Sequence, residues 1–198
     1  MGMYGSLRRM RADQLSRLLR EPDLTSRLTD AEDEEFGWAE PWPEGPVLDL
    51  DKSWQVLHFV LTGDAWEGSG PLRNAILGGT TIGADLGYGP AHYVTPSEVA
   101  AVAVALASLS EDVIRSRFDP SAFEAAELYP GAWSPQPPPP VKKGFLGRLK
   151  SPPIQQARDS QEKELNEYFD FVMSQFRNLV GFYQDVSSAG EAALGWLV

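Results

Sequence analysis

The chain has 198 residues, of which 42% are hydrophobic, and this is enough material for one sizeable core. Its formal net charge of −11 disfavours general nucleic-acid binding, and the absence of cysteine excludes a disulfide framework, a thiolate zinc site and a cysteine nucleophile. No apolar stretch approaches the ~18 residues of a membrane span, so we expect a soluble, cytoplasmic protein without membrane attachment.

The N-terminal part predicts a strand, a short helix and an acidic loop. Residues 2–7 favour a first strand, and leucine spacing over residues 12–20 favours a helix. Residues 30–46 hold seven acidic side chains, no basic one and three prolines, which indicates an irregular loop. Trp38 and Trp42 lie within it, so we expect this loop to pack against the body of the protein.

The most specific segment is residues 48–63, LDLDKSWQVLHFVLTG. A short strand ends there at two aspartates, and Asp51 is the predicted N-cap of a helix over residues 52–62. The apolar face of that helix includes His58. Gly63 is the predicted end of the helix.

The middle of the chain predicts short helices around a glycine-rich stretch. Residues 71–77 favour a short helix, and residues 78–94 favour turns and short strands. A capping box opens the next helix: Thr95 is the N-cap, and Glu98 reaches back to it. This helix runs to about residue 108 and is almost entirely alanine, valine and leucine, which predicts burial on most sides.

The C-terminal part predicts two more short helices, a linker, a long helix and a last strand. The short helices are expected at 110–118 and at 119–128, each opened by a polar cap. Residues 134–153 combine prolines with a basic decapeptide, which indicates an inserted linker. Apolar residues recur every three or four positions over 160–186, and the apolar segment 192–198 predicts a strand inside the sheet.

These elements predict one domain of the α+β (mixed α/β) class. We expect a small mixed sheet built from the N-terminal, central and C-terminal strands. Several helices cover it, chiefly those at 96–108 and 160–186, and the long C-terminal helix leads into the last strand.

Six segments resemble the YfbM-like family of bacterial domains, which has no established activity. They are MGMYGSL at the start, LDLDKSWQVLHFVLTG, PLRNAILGG, GYGPAHYVTPSEVA, LYPGAW and the C-terminal YFDFVMSQFRNLVGFYQDVSSAGEAALGWLV. The resemblance implies a single domain over 1–198 and a bacterial cytoplasmic origin, and it supplies no catalytic residues. Two features depart from the family: 134–153 looks longer than the usual link, and His92 stands where arginine is more often expected.

Asp49 and Asp51 form the first candidate site. Two nearby carboxylates suit acid–base catalysis or a divalent cation. The favoured interpretation is structural, with Asp51 capping the helix and Asp49 pairing with a basic side chain.

His58, Tyr88 and His92 are the other candidates for chemistry. A lone histidine on an apolar helix face is more often a hydrogen-bonded core residue than a base, which describes His58. His92 is the better candidate because it lies among glycine turns beside Tyr88. The two histidines lack the spacing of a metal-binding motif, and no nucleotide-binding or serine-hydrolase motif is present, so we predict no metal and no cofactor.

The leading hypothesis is a non-enzymatic protein-binding module with a regulatory or immunity-type role. The acidic residues of 30–44, with Trp38 and Trp42, favour a basic protein partner. The alternative is an enzyme or small-ligand binder whose pocket is lined by Asp49, His58, Tyr88 and His92. A third possibility is a scaffold in which 134–153 makes the contacts.

Overall fold

The computed structural model describes residues 2–28, 47–131, 133 and 154–198, with side chains of the last helix described from residue 163. The predicted acidic loop, with Trp38 and Trp42, and the predicted linker lie outside these residues. The elements, in chain order, are β1 (Gly5–Met10), α1 (Ala12–Arg20), the 3₁₀ helix η1 (Pro22–Leu28), β2 (Val47–Asp51), α2 (Trp54–Thr62), α3 (Gly70–Asn74), β3 (Thr80–Asp85), β4 (Pro90–Val94), α4 (Pro96–Ala107), α5 (Glu111–Arg117), α6 (Pro120–Ala125), α7 (Ile154–Ser188) and β5 (Ala192–Leu197).

The strands form one five-stranded sheet in the order β2-β1-β5-β4-β3. All four pairings are antiparallel, so the predicted α+β class is confirmed while the sheet is antiparallel rather than mixed. The last strand lies at the centre of the sheet, as its apolar sequence predicts. Because β1 and β5 pair along their whole length, the two ends of the chain are joined in the middle of the fold.

The sheet is covered on both faces. Alternate residues of β5 point to opposite sides: Ala193 joins the larger core, whereas Leu194 and Trp196 join the smaller one. The larger core lies under α2, α4 and α7 and is called the main face below. The smaller core lies under α1 and η1 on the second face. Within the described residues, no helix has the length and apolarity needed to cross a membrane.

The two main helices differ in how they are buried. The predicted apolar stripe of α7 is confirmed and includes fully buried Leu179 and Tyr183, although the helix begins at Ile154, before the predicted start. The prediction that α4 is buried on most sides is wrong. Val102 and Leu106 face the core, but Val104 is 73% exposed. Alanine and valine give α4 no polar face, so its composition does not reveal which side contacts water.

Asp51 does not cap α2. It is the last residue of β2 and has a φ of 49°, and the N-cap position belongs to Ser53. The carboxylate of Asp49 accepts the Asp51 N–H at 2.7 Å, and the Ser53 hydroxyl donates to Leu50 O at 2.6 Å. The two side chains therefore stabilise a tight turn, and the helix begins at Trp54, later than predicted.

Other boundaries follow local sequence signals. The first strand lies at Gly5–Met10 rather than over residues 2–7, because its pairing with β5 continues to Met10. The capping box of α4 is confirmed, since Glu98 Oε2 accepts the Thr95 N–H at 2.9 Å. Gly63 ends α2 in the left-handed conformation, with a φ of 82°. These short-range patterns place the elements that surround the site.

Candidate functional site

The structure brings two of the predicted site residues, His58 and His92, to the main face. His58 on α2 is completely buried, and His92 on β4 is 8% exposed. Burial is the main cause that lowers the pKa of both rings, and the positive charge of Arg73 adds to this shift. Tyr88 lies instead in the exposed β3–β4 turn, and Asp49 lies on β2 at the opposite edge of the sheet.

His92 is packed into the centre of the sheet. It lies opposite Gly195 of β5, and a Cβ atom at Gly195 would come within 2.5 Å of His92 Nε2. Burial lowers the pKa of His92 to about 4, although a hydrogen bond with the Ile76 backbone opposes this shift. In the described part of the chain Nε2 has no hydrogen-bond partner. The ring is therefore neutral near pH 7.

His58 holds a loop in place. Its Nε2 lies 2.6 Å from Glu67 O, so the neutral ring donates this hydrogen to the carbonyl. Burial lowers the pKa of His58, and Nδ1 has no partner among the described residues. We conclude that His58 is a structural donor, as expected for a histidine on an apolar helix face.

The loop after α2 is fixed by further contacts. Gln55 Nε2 donates to Ala65 O at 3.2 Å. The Asp64 carboxylate accepts the backbone N–H of Trp66 at 2.9 Å and also that of the residue after it. The Trp66 ring packs on Trp54 with centroids 5.5 Å apart, yet Trp66 is 51% exposed. An ordered loop with an exposed aromatic ring therefore borders the main face.

Above Arg73 lies an open groove of about 510 Å³ between α3 and α4. The loop at 67–71, Arg73 and Asn74 form one wall, and Glu98 and Ala101 of α4 form the other. We call it the α3–α4 groove. Its volume lies in the range of ligand-binding sites, and its lining combines apolar surface with charged side chains.

The charges around this groove are mainly negative. Arg73 Nη2 lies 3.8 Å from Glu67 Oε2, and the Glu67 side chain is 80% exposed. Glu98 lines the opposite wall, where Oε2 also accepts the Thr95 hydroxyl at 2.6 Å. The groove lining therefore holds two carboxylates and one guanidinium, and the adjoining loop carries a third carboxylate, that of Asp64. The groove therefore favours a ligand that carries positive charge.

His58 and His92 are both buried, and neither lines the groove. Among the described residues, no three histidine, aspartate or glutamate side chains lie together so as to hold a metal ion. The sequence analysis did not identify Arg73 and Glu67. The segment Gly-Ser-Gly-Pro at residues 68–71, which leads into the short α3, is nevertheless a sequence signal for an exposed, ordered loop.

A second cluster anchors the N-terminal segment. Lys52 Nζ lies 5.4 Å from the centroid of the Tyr4 ring, and the Tyr129 hydroxyl accepts the Met3 N–H at 3.3 Å. A Cβ atom at Gly2 would lie 2.8 Å from that hydroxyl. Three of the segments that carry the family resemblance therefore meet here, and the contacts fix the start of the sheet.

The comparisons agree with the resemblance seen in the sequence. A family model described as a domain of unknown function (DUF1877) matches residues 1–196. The crystal structure of YfbM from Escherichia coli, a protein of unknown function, superposes with a TM-score of 0.64 and 23% identity, covering 98% of this chain and 99% of that chain. At this identity the likeness concerns the fold alone. No curated protein matches the sequence. The chain belongs to the DUF1877 family.

Proposed function

We propose that the protein is a non-enzymatic binding module whose α3–α4 groove receives a basic segment of a protein partner. The observation that carries the proposal is the charge of the groove: Glu67 and Glu98 line it with Arg73 as the one basic residue, on a chain with a net charge of −11. Complementary charge steers association and selects partners.

The ordered walls of the groove support this proposal. His58 and Gln55 fix the loop that carries Glu67, and Thr95 fixes Glu98. A site whose groups are already in place loses less conformational entropy on binding. The exposed Trp66 ring lies on the same loop, and tryptophan is enriched among residues that dominate binding energy.

A titration followed by amide chemical shifts tests the proposal. The probe is an acetylated, amidated peptide of alternating glycine and arginine, and the control peptide has glutamate in place of arginine. We expect the arginine peptide to shift the amides of Gly68, Gly70 and Arg73, and the glutamate peptide to leave them unchanged. If neither peptide shifts them, the groove does not bind basic segments.

Charge reversal sharpens this test. Glu67→Lys removes a groove carboxylate, and we expect it to weaken binding about fivefold, equivalent to ~1 kcal/mol for an exposed charge pair. Glu164→Lys, at an exposed position of α7, changes the net charge by the same amount and is the matched control. Equal weakening by both variants would mean that net charge, rather than the groove, attracts the peptide.

The acidic loop remains a separate prediction, because its residues lie outside the described part of the chain. Reversing the charges of Glu32, Asp33, Glu34 and Glu35 together tests it with the same arginine peptide. A loss of affinity beyond that of Glu67→Lys would assign the main contact to this loop.

A further inference from the structure

The two edges of the sheet differ in how they are protected. Among the described residues, β2 and β3 each pair on one side only, whereas the three inner strands pair on both sides. An edge strand presents unpaired N–H and C=O groups to which another extended chain can add. An edge is available for pairing with another chain only where the rest of the protein leaves these groups uncovered.

The edge at β2 is partly engaged. The long helix α7 packs against β2, and Gln175 Nε2 donates to Asp49 O at 3.2 Å. Gln175 is only 8% exposed, although Val47 and Asp49 of the strand are exposed. A further strand that paired at Asp49 would compete with Gln175 for this carbonyl group.

The edge at β3 is open. All its residues are exposed except the half-buried Ile82. Apart from the pairing with β4, no hydrogen bond from the described residues reaches the segment Thr80–Ala84. The helix η1 packs against β3 on the second face, where Thr25 lies close to Gly83. The outward backbone groups of β3 therefore have no partner within the described part of the chain.

The sequence of β3 suits strand pairing over a short length. Thr80, Thr81 and Ile82 are β-branched, and the strand has neither the lysine nor the proline with which natural edges resist addition. Gly83 has a φ of 80°, and the register with β4 shifts between Ile82 and Asp85. This irregularity bends the strand, so we expect an added strand to pair over about three residues.

We propose that the outer edge of β3 binds an extended segment of a basic protein partner by strand addition. This inference rests on the proposed function, since it takes the partner to be a protein of positive charge. A second copy of this chain is disfavoured as the occupant, because each copy carries a net charge of −11. The strand is uncharged from Thr80 to Ala84 and ends at Asp85, whose carboxylate accepts the N–H groups of Gly87 and Gly89. The negative charge at this end of the strand favours a lysine or arginine of the partner just beyond the paired residues.

Two peptides of equal charge test the backbone contact. The probe is an acetylated hexapeptide of alternating lysine and valine, and the control is the same peptide with all of its backbone nitrogens methylated, so that neither edge of the peptide can donate. We expect the first peptide to slow hydrogen exchange at outward-facing amides of Thr80–Ala84 about tenfold or more, because strand addition buries them. We expect the methylated peptide to have no effect there, because it cannot donate from those positions.

Two variants locate the contact on the edge. Thr81→Lys places a charge on the edge and is expected to abolish the slowing of exchange, and Thr80→Lys gives an independent test if the first variant unfolds. Ala107→Lys, on the exposed side of α4, adds the same charge away from the strand and is expected to leave the effect intact.

The outcomes separate this inference from the proposed function. Peptide-induced shifts confined to the α3–α4 groove would overturn strand addition and leave the proposed function standing. No shift anywhere would overturn both. Equal effects of the methylated and unmethylated peptides would also overturn the inference. So would protection of Thr80–Ala84 that rises with protein concentration in the absence of peptide, because it would show that a second copy of the chain occupies the edge.

Discussion

His92 on β4 and Glu98 on α4 belong to consecutive elements, but they lie in opposite environments. His92 is 8% exposed, lies against Gly195 and has an Nε2 atom without a partner in the described part of the chain. Glu98 lines the α3–α4 groove, and its carboxylate accepts two hydrogen bonds from Thr95. Both residues are polar, yet only Glu98 can meet a partner without a rearrangement of the core.

This comparison separates stability from binding. Changing the charge or volume around His92 disturbs a buried site that cannot relax, so the cost should appear in the free energy of unfolding. Changing the groove should alter affinity far more than stability, because its side chains already contact water. The following predictions test this division, beginning with the largest expected effect.

Acidification should destabilise the fold through His92. The pKa of a histidine in the unfolded chain is near 6.5, and burial lowers the pKa of His92 to about 4. Above pH 6.5 both states hold a neutral ring, so the full stability is present. As the pH falls from 6.5 to 4 the unfolded state gains a proton that the folded state excludes, which lowers the free energy of unfolding by about 3 kcal/mol.

Urea denaturation at pH 7 and pH 4 measures this effect. Carboxylates also contribute to acid sensitivity, so the comparison is with His92→Gln, which keeps a polar side chain and cannot titrate. We expect the variant to lose less stability than the native protein over the same range. Parallel losses in the two proteins would show that His92 does not carry the pH dependence.

A methyl group added next to His92 should cause the next largest loss in the free energy of unfolding. Gly195→Ala places a Cβ atom within 2.5 Å of the His92 ring, and overpacking of this kind costs about 1–3 kcal/mol. Gly181→Ala on α7 is the matched control, since nothing lies within 4 Å of its added atom and alanine favours a helix by about 1 kcal/mol.

A double variant tests the cause. If the His92 ring is the obstacle, Gly195→Ala should cost less when His92→Ala has already removed the ring. Thermal or urea unfolding of the four proteins of this cycle gives the coupling energy. Additive effects would mean that the strain at Gly195 comes from another neighbour, such as Leu7, whose side chain would lie 2.9 Å from the added atom.

The sequence predicts the parts of this fold that depend on neighbouring residues. The Thr95–Glu98 capping box and the left-handed Gly63 are short-range patterns, and the structure contains both. The apolar β5 segment indicates a central strand because both of its faces must be buried. Asp51 illustrates the limit: a cap and a turn use the same residue types, and only the pairing of β2 with β1 decides between them.

The candidate site depends on contacts that the sequence does not encode locally. His58 lies on the apolar helix face that the spacing of apolar residues predicts. Its hydrogen-bond partner, Glu67 O, is a backbone group, and no pattern of side chains in the sequence indicates it. Arg73 and Glu98 line one groove only because α3 packs against α4. The groove is thus a product of helix packing, which is why Arg73 and Glu67 were not predicted.

The smallest expected change in stability concerns the cap that positions Glu98. Thr95→Ala removes the hydroxyl that accepts the Glu98 N–H at 3.4 Å and donates to its carboxylate, and loss of an N-cap typically costs about 1 kcal/mol. Thr95→Ser keeps the hydroxyl and should restore most of this loss. Urea unfolding of the three proteins measures both effects.

The same two variants test the division between interior and groove through binding. Thr95→Ala frees the Glu98 side chain, so we expect weaker binding of the arginine peptide, whereas Gly195→Ala, despite its larger loss of stability, should leave that affinity unchanged. If instead Gly195→Ala weakens the peptide as much as Thr95→Ala does, the interior and the groove are energetically coupled. Arg73, which pairs with Glu67 and whose charge also lowers the pKa of both histidines, would then be the first residue to test as the link between the interior and the binding surface.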